Sequence, residues 1–164
     1  GPGFNLIKKN EPILVDYVFC LNGYLSDHTR IYCFGDLPDD LLRAHDAMLE
    51  IQEKVKQEAI PGSVSGQLYE MMISKAKAKG YQDNFMGTGD RKIRFTGHGL
   101  GLELDEFPFI AKDQTLALEK GMMIALEPKV VFPEKGVVGI ENSLLVTDNG
   151  LESLTTFCDK ITIL

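Results

Sequence analysis

Ile13-Leu14-Val15-Asp16-Tyr17-Val18-Phe19-Cys20-Leu21-Asn22-Gly23-Tyr24-Leu25-Ser26-Asp27-His28-Thr29-Arg30 joins an apolar run to a turn dipeptide and a second run. Ile13 to Leu21 is rich in β-branched and aromatic residues, and Asn22-Gly23 best tolerates the positive φ angles of a two-residue hairpin turn. With Arg30 to Phe34 continuing the second arm, the pattern predicts a β-hairpin that carries Asp16 and Asp27 on adjacent strands. A carboxylate set into an apolar strand is costly to ionise unless a positive partner meets it. Asp27 by itself reads as a turn aspartate behind Gly23-Tyr24. Asp16, eleven residues earlier, changes that reading to a pair of metal ligands.

Downstream, Asp39 and Asp40 follow Pro38 as a helix start, and Leu41, Leu42, Met48, Ile51 and Val55 recur at helical spacing up to Pro61-Gly62. A second helix is predicted over 65–79, with Leu68, Met71, Met72 and Ala76 on one side and Gly80 as its stop. Asn84 to Asp90 reads as loop and Phe107-Pro108-Phe109-Ile110 as a short strand or turn. Met122 to Val131 reads as a buried strand interrupted at Pro128, and Val137 to Thr147 as one further strand. This order predicts an α+β domain, a single unit over 1–164 with no linker to divide it.

With 164 residues and 44% apolar content the chain suits one globular domain. Its net charge of −7 argues against a nucleic-acid or anionic-membrane surface, where lysine and arginine would have to supply counter-charge. A cationic or neutral small substrate fits better. No apolar run approaches the roughly 20 residues of a membrane span and no basic-then-apolar leader opens the chain, so a cytoplasmic protein is expected. Cys20, Cys33 and Cys158 lack CxxC spacing and read as buried, reduced thiols rather than a zinc knuckle.

Further short strings accompany the hairpin: Gly97-His98-Gly99-Leu100-Gly101, Leu126-Glu127-Pro128 and Gly139-Ile140-Glu141-Asn142. The glycines around His98 leave its backbone free to approach an ion closely. They are not a phosphate loop, since no Lys-Ser/Thr follows and no βαβ pattern surrounds them. Single buried glutamates are rare unless paired, which marks Glu127 and Glu141 in their apolar surroundings. His28 and His45 read as bystanders, one on the far side of its strand from Asp27 and the other within the first helix.

From Leu14 to Thr155, this order and spacing resembles the pita-bread metallopeptidases, which comprise the Xaa-Pro aminopeptidases, Xaa-Pro dipeptidases and methionine aminopeptidases. The resemblance implies a pita-bread fold, a curved antiparallel sheet with helices on its outer face. It also implies that the chain is a partial catalytic domain, lacking its amino-terminal helices. Exposed apolar surface and a homodimer are then expected, and weak or absent activity for these 164 residues alone. The implied activity is metal-dependent hydrolysis of an amino-terminal peptide bond, with a peptide as substrate and two divalent ions (manganese, cobalt, iron or zinc) activating a bridging water.

The resemblance gives Asp16 to one ion as a terminal ligand, makes Asp27 and Glu141 bridging carboxylates, and adds His98 and Glu127. His98 and Glu127 are also the residues implied for catalysis. Two divalent cations would balance the four carboxylates, which could not otherwise all ionise in one cavity. The chain departs from the usual pattern on the substrate side. Asp105 stands where a second histidine is normal, Gly139 where the proline-specific peptidases commonly carry an arginine, and Arg94 at the variable loop before His98. Asp105 and Arg94 are therefore the expected substrate-binding pair, Arg94 either replacing a lost donor or neutralising Asp105. An alternative implied by the same resemblance is a non-catalytic binding module or inactive fragment that retains the ligands.

Overall fold

The computed structural model describes residues 4–164. β1 (Ile13–Leu21) and β2 (Tyr24–Cys33) form the expected hairpin, in antiparallel register from Ile13 opposite Tyr32 to Leu21 opposite Tyr24. The turn residues Asn22 and Gly23 have φ of 53° and 88°, the left-handed pair a tight hairpin turn needs. The second arm starts at Tyr24 and not at Arg30, so Asp27 lies within a strand.

Helix α1 (Asp39–Glu58) opens with two acidic residues against the positive end of its dipole. It buries Leu41, Ala44, Met48, Ile51 and Val55, while Leu42, expected on the same stripe, is exposed. Helix α2 (Ser65–Ala78) buries Leu68, Met72 and Ala76, and Gly80 follows its end with φ of 83°. Both helices pack on one layer of strands, where Met48, Ile51, Val55, Leu68 and Met72 share a core with Ile124, Leu126, Leu144 and Val146.

The remaining strands are β3 (Gly97–Gly99), β4 (Met123–Leu126), β5 (Lys129–Phe132), β6 (Gly136–Gly139), β7 (Asn142–Thr147), β8 (Gly150–Ser153) and β9 (Thr162–Ile163). They pair as β1-β2-β9, β3-β4-β7-β8 and β5-β6. An isolated bridge between Thr29 and Glu141 connects the hairpin to the four-stranded sheet. All pairings are antiparallel except that of β9 with β2, which is parallel.

Gly97-His98-Gly99 is a short strand; a Cβ at Gly97 or Gly99 would lie 2.5 Å from the carbonyl oxygens of Ala125 or Phe107, so glycine is needed for the close approach. Two expectations are corrected. Val137 to Thr147 is not one strand: the chain leaves β5 at Gly139, crosses at Ile140 and Glu141, and joins β4 from Asn142 on. Of the thiols only Cys33 is buried, because Cys20 lies on the uncovered β1 and Cys158 on the carboxy-terminal segment. Among the described residues no helix is long and apolar enough to cross a membrane.

Candidate metal centre

β2 and the crossover at Glu141 are locked together by short polar contacts. The backbone N–H of Asp27 donates to the Ser143 hydroxyl at 3.0 Å, and that hydroxyl donates back to the Asp27 carbonyl at 2.9 Å. Thr29, two residues on and so on the same face as Asp27, pairs with the Glu141 backbone and donates its hydroxyl to Glu141 Oε2 at 2.8 Å. Arg30, 2% exposed, donates to the carbonyls of Thr29 (2.8 Å), Glu141 (2.9 Å), Cys158 (2.9 Å) and Phe157 (3.1 Å), and to Asn142 Oδ1 (2.8 Å). Its Nη2 also meets Asp159 Oδ1 at 2.9 Å. Beneath this, Asn142 donates to Gln52 Oε1 at 2.9 Å and Gln52 to the Leu126 carbonyl at 2.7 Å, carrying the network from α1 to the end of β4.

Onto this frame β3 brings His98. Its Nε2 lies 3.9 Å from Asp27 Oδ2, 3.9 Å from Glu141 Oε1 and 4.0 Å from Glu127 Oε1. Its Nδ1 faces the Gly99 carbonyl at 3.0 Å and Asp105 Oδ1 at 3.4 Å. Asp27, His98 and Glu141 are all buried, and each offers one donor atom within 4.8 Å of the others. Glu127 follows β4 and is held by its N–H to the Thr96 carbonyl at 3.0 Å. Its Oε2 is bonded to the ammonium of Lys129.

The electrostatics are those of a cation site. Burial, then the charges of Asp16, Glu127 and Asp105, raises the Asp27 carboxyl to about 6, with His98 opposing. Burial, then Glu127 and Asp27, raises Glu141 to about 8 against the Thr29 hydrogen bond and the Lys129 charge. Asp27 Oδ1 is buried without a hydrogen-bond partner among the described residues. A buried carboxylate oxygen in that position is satisfied by a cation. Three hard-to-borderline donors and one orphaned oxygen fit a divalent metal ion.

Other expected residues are placed differently. Asp16 lies opposite Thr29 in the hairpin and shares the ligand face, yet it is exposed, as are its neighbours Val15 and Tyr17 on this edge strand. The argument that burial makes its ionisation costly therefore fails. Arg94 is exposed and makes no ion pair with Asp105 among the described residues; it lines a cavity with Tyr69, Phe85 and Lys112. The neighbouring Phe95 packs its ring edge-on against His98, centroids 5.8 Å apart. His45 is buried in α1 with Nε2 3.0 Å from the Asp159 carbonyl, away from the cluster. Thr29, Arg30, Ser143 and Lys129 were not anticipated. Thr29 and Lys129 each stand two residues from a proposed ligand in strand-like sequence, which was the available signal.

The model of metallopeptidase family M24 matches residues 2–148. The chain belongs to metallopeptidase family M24. A Xaa-Pro dipeptidase of Pyrococcus furiosus is 32% identical over 149 residues, covering 91% of this chain and 41% of the relative. Among solved structures, a dipeptidase from Pyrococcus horikoshii OT3 superposes with a TM-score of 0.90 at 30% identity, covering 99% of this chain and 44% of that one. An X-Pro aminopeptidase from Thermotoga maritima MSB8 superposes with 0.87 at 26% identity, covering 96% and 42%. The fold is thus the pita-bread α+β fold of the M24 peptidases, and the chain spans about two-fifths of the length of the curated relatives it matches.

Proposed function

We propose that this M24 chain carries the metal centre of an exopeptidase of the Xaa-Pro dipeptidase or aminopeptidase type, which hydrolyses the amino-terminal peptide bond of a short peptide. The observation that carries this is the convergence of Asp27, His98 and Glu141, buried and within 4.8 Å, with one Asp27 oxygen left unsatisfied. The Xaa-Pro dipeptidases and X-Pro aminopeptidase among the similar proteins support the substrate class.

Asp27, His98 and Glu141 would hold one divalent ion, and Asp16 and Glu127 are the further carboxylates of a two-ion set. Manganese, cobalt, iron and zinc all suit oxygen-rich ligands with one imidazole. When bound, such ions supply Lewis acidity for water and for the peptide carbonyl. The chain's own residues do the rest. Thr29 fixes the Glu141 carboxylate by its hydroxyl, and the Gly99 carbonyl and Asp105 carboxylate orient His98 through Nδ1, leaving Nε2 aimed at the acids. Glu127, with Oε1 toward His98, is placed to accept a proton from water and return it to the leaving amine. Asp105, with its side chain 54% exposed, offers an anion to a substrate's protonated amino terminus. A carboxylate cannot donate to an oxyanion as a histidine would, and Arg94 lines the separate cavity with Tyr69, Phe85 and Lys112, so neither of the two supplies that donor. The reading includes a homodimer, for which the uncovered apolar face of β1 is the support.

The test is metal analysis of the full chain together with hydrolysis of a short Xaa-Pro peptide in added manganese, wild type against His98→Ala. Loss of both bound metal and hydrolysis in the variant is the expected result. Hydrolysis that survives a chelator, or a wild-type chain that binds no divalent ion, would overturn the proposal.

A further inference from the structure

Helix α2 carries two stripes. Leu68, Met72 and Ala76 enter the core, whereas Tyr69, Ile73 and Lys77, spaced so that one stands above the next, line a cavity of about 420 Å³. Phe85 and Met86, both buried, and Ile93, 37% exposed, continue its apolar lining. The backbone fixes this wall. Ile93 N–H donates to the Met86 carbonyl at 2.7 Å and Met86 N–H to the Lys129 carbonyl at 2.9 Å, which closes the intervening loop and ties it to β5. A Cβ at Gly87, where φ is 125°, would lie 2.7 Å from the Arg91 carbonyl oxygen, so the loop packs tightly on itself. The cavity is thus pre-formed, as small-molecule sites usually are.

Lys77, Lys92, Arg94 and Lys112 ring this apolar surface, and no acid lines it. The chain has 17 lysines and arginines against 24 acids, so the patch runs against the overall charge. Two acids adjacent in sequence lie elsewhere: Glu70 and Asp113, beside Tyr69 and Lys112, line a separate depression with Gly66 and Gln114. Among the described residues Lys77, Arg94 and Lys112 form no ion pair, and Lys92 donates to the Gln82 carbonyl at 2.6 Å. Burial raises the pKa of the Tyr69 hydroxyl, which keeps its proton and so remains a donor. None of the five proposed metal ligands reaches the cavity.

Exposed lysines are ordinarily satisfied by water. What sets these apart is the apolar surface they enclose, which water does not satisfy. A neutral ligand would leave the charge unmatched, and a hydrated inorganic anion would leave Ile73, Phe85 and Ile93 wet. An anion with an apolar body meets both demands.

We propose that the cavity between α2 and the loop over 85–94 binds a small organic anion, a carboxylate or phosphate ester on an aromatic or branched aliphatic body. The charge sits among Arg94, Lys112 and the flanking lysines, and the body lies against Tyr69, Ile73 and Phe85. This site is outside the metal centre and stands whether or not the chain hydrolyses peptides.

Calorimetric titration of the metal-free full chain with naphthalenesulfonate tests it, with neutral naphthalenesulfonamide as the control and backbone amide chemical shifts to locate the bound probe. Without metal, the acids around His98 repel the anion, so the metal centre does not compete. Saturable binding is expected with a Kd of about 1 mM or tighter, the order for a ligand of this size. The sulfonamide should bind about tenfold more weakly, and the double variant Arg94→Gln/Lys112→Gln should bind the sulfonate about tenfold more weakly than wild type, as loss of two exposed charge contacts predicts. Both side chains are exposed, and melting curves would verify that the variant folds. Amide shifts should move at Ile73, Ile93 and Arg94. Equal affinity for sulfonate and sulfonamide, an unchanged Kd in the double variant, shifts confined to the uncovered β1, or no saturation would each overturn the proposal. A glutamate-rich peptide that binds where the sulfonate does not would give the basic rim to an acidic protein partner and overturn it as well.

Discussion

β1, the outer strand of the hairpin, and the β3-β4-β7-β8 sheet are built from similar apolar sequence and have opposite fates. In β1, Val15, Tyr17, Val18, Phe19 and Leu21 are all exposed, and Tyr17 and Phe19 stack on one another at 6.4 Å. In β4 and β7, Ile124, Ala125, Leu126, Leu144 and Val146 are buried. The difference is the layer above: α1 and α2 stand over the four-stranded sheet, whereas of the hairpin only the end with Leu14, Ile31 and Cys33 packs against α1, through Leu41 and Ala44. Apolar composition marks a segment as capable of burial; which segment is buried depends on what packs over it. The candidate site draws on both regions, Asp16 and Asp27 from the hairpin and His98, Glu127 and Glu141 from the sheet side, so it depends on the seam between them.

Breaking the seam should have the largest effect. Arg30→Met removes the guanidinium that ties Thr29, Glu141, Asn142, Phe157, Cys158 and Asp159 together. It should cost about 3–5 kcal/mol of stability, as breaking a buried charge network does, and lower metal affinity with it. Chemical denaturation and a metal titration on one preparation would check both. A loss under about 1 kcal/mol would mean that hairpin and sheet hold together without it.

The contrast itself is sharpened by truncating one strand residue on each side. Leu144→Ala in the covered sheet should cost about 2–5 kcal/mol by the cavity it leaves. Phe19→Ala on β1 should stay within about 0.5 kcal/mol, as exposed substitutions do. Similar midpoint shifts in denaturant would abolish the distinction between the regions.

Within the site, Asp105→Asn should weaken binding of a divalent ion at Asp27, His98 and Glu141 by about 10–100-fold, because the carboxylate beside His98 Nδ1 holds the ring in orientation. Unchanged affinity by calorimetry would restrict Asp105 to the substrate side.

The smallest effect per step is in pH. The folded-state pKa values of Glu141 (from 4.5 to about 8) and Asp27 (from 3.8 to about 6) are raised, so without metal the fold favours their protonated forms. That contribution is complete below the ordinary carboxylate range and is lost as pH rises through about 6 and then about 8. Each group contributes at most about 1.4 kcal/mol per pH unit. A bound divalent ion reverses the sign, since it favours the ionised acids. The gain in melting temperature on adding Mn²⁺ should therefore grow from pH 5 to pH 8, and a constant gain would separate these acids from the metal.

Much of the architecture was legible because local rules decide it. Asn22-Gly23 specifies the turn through its positive φ angles, Asp39 and Asp40 mark the start of α1, and the spacing of Leu41, Met48, Ile51 and Val55 places its buried face. The strings around Asp27, His98 and Glu141 were likewise visible, since acids in apolar strands and a histidine between glycines stand out chemically. The break at Glu141 was not, because Val137 to Thr147 is continuous strand-like sequence and only the competing partners β5 and β4 divide it. β8 and β9 were also missed, being short segments that become strands through pairing with β7 and β2. The exposure of Asp16 and the contact of Lys129 with Glu127 depend on neighbours distant in the chain or on side-chain direction, to which periodicity is blind.

Sequence by itself determined the hairpin, the two helices and the chemical identity of the donors, because turn dihedrals, helical periodicity and side-chain chemistry are properties of a few adjacent residues. Tertiary structure alone decided which apolar strand is covered, where the chain changes sheets, and that Asp27, His98 and Glu141 meet around one point while a lysine occupies the side facing Glu127. Those outcomes arise from layer packing and from competition between strands far apart in the chain, whose energies exist only once the segments have met.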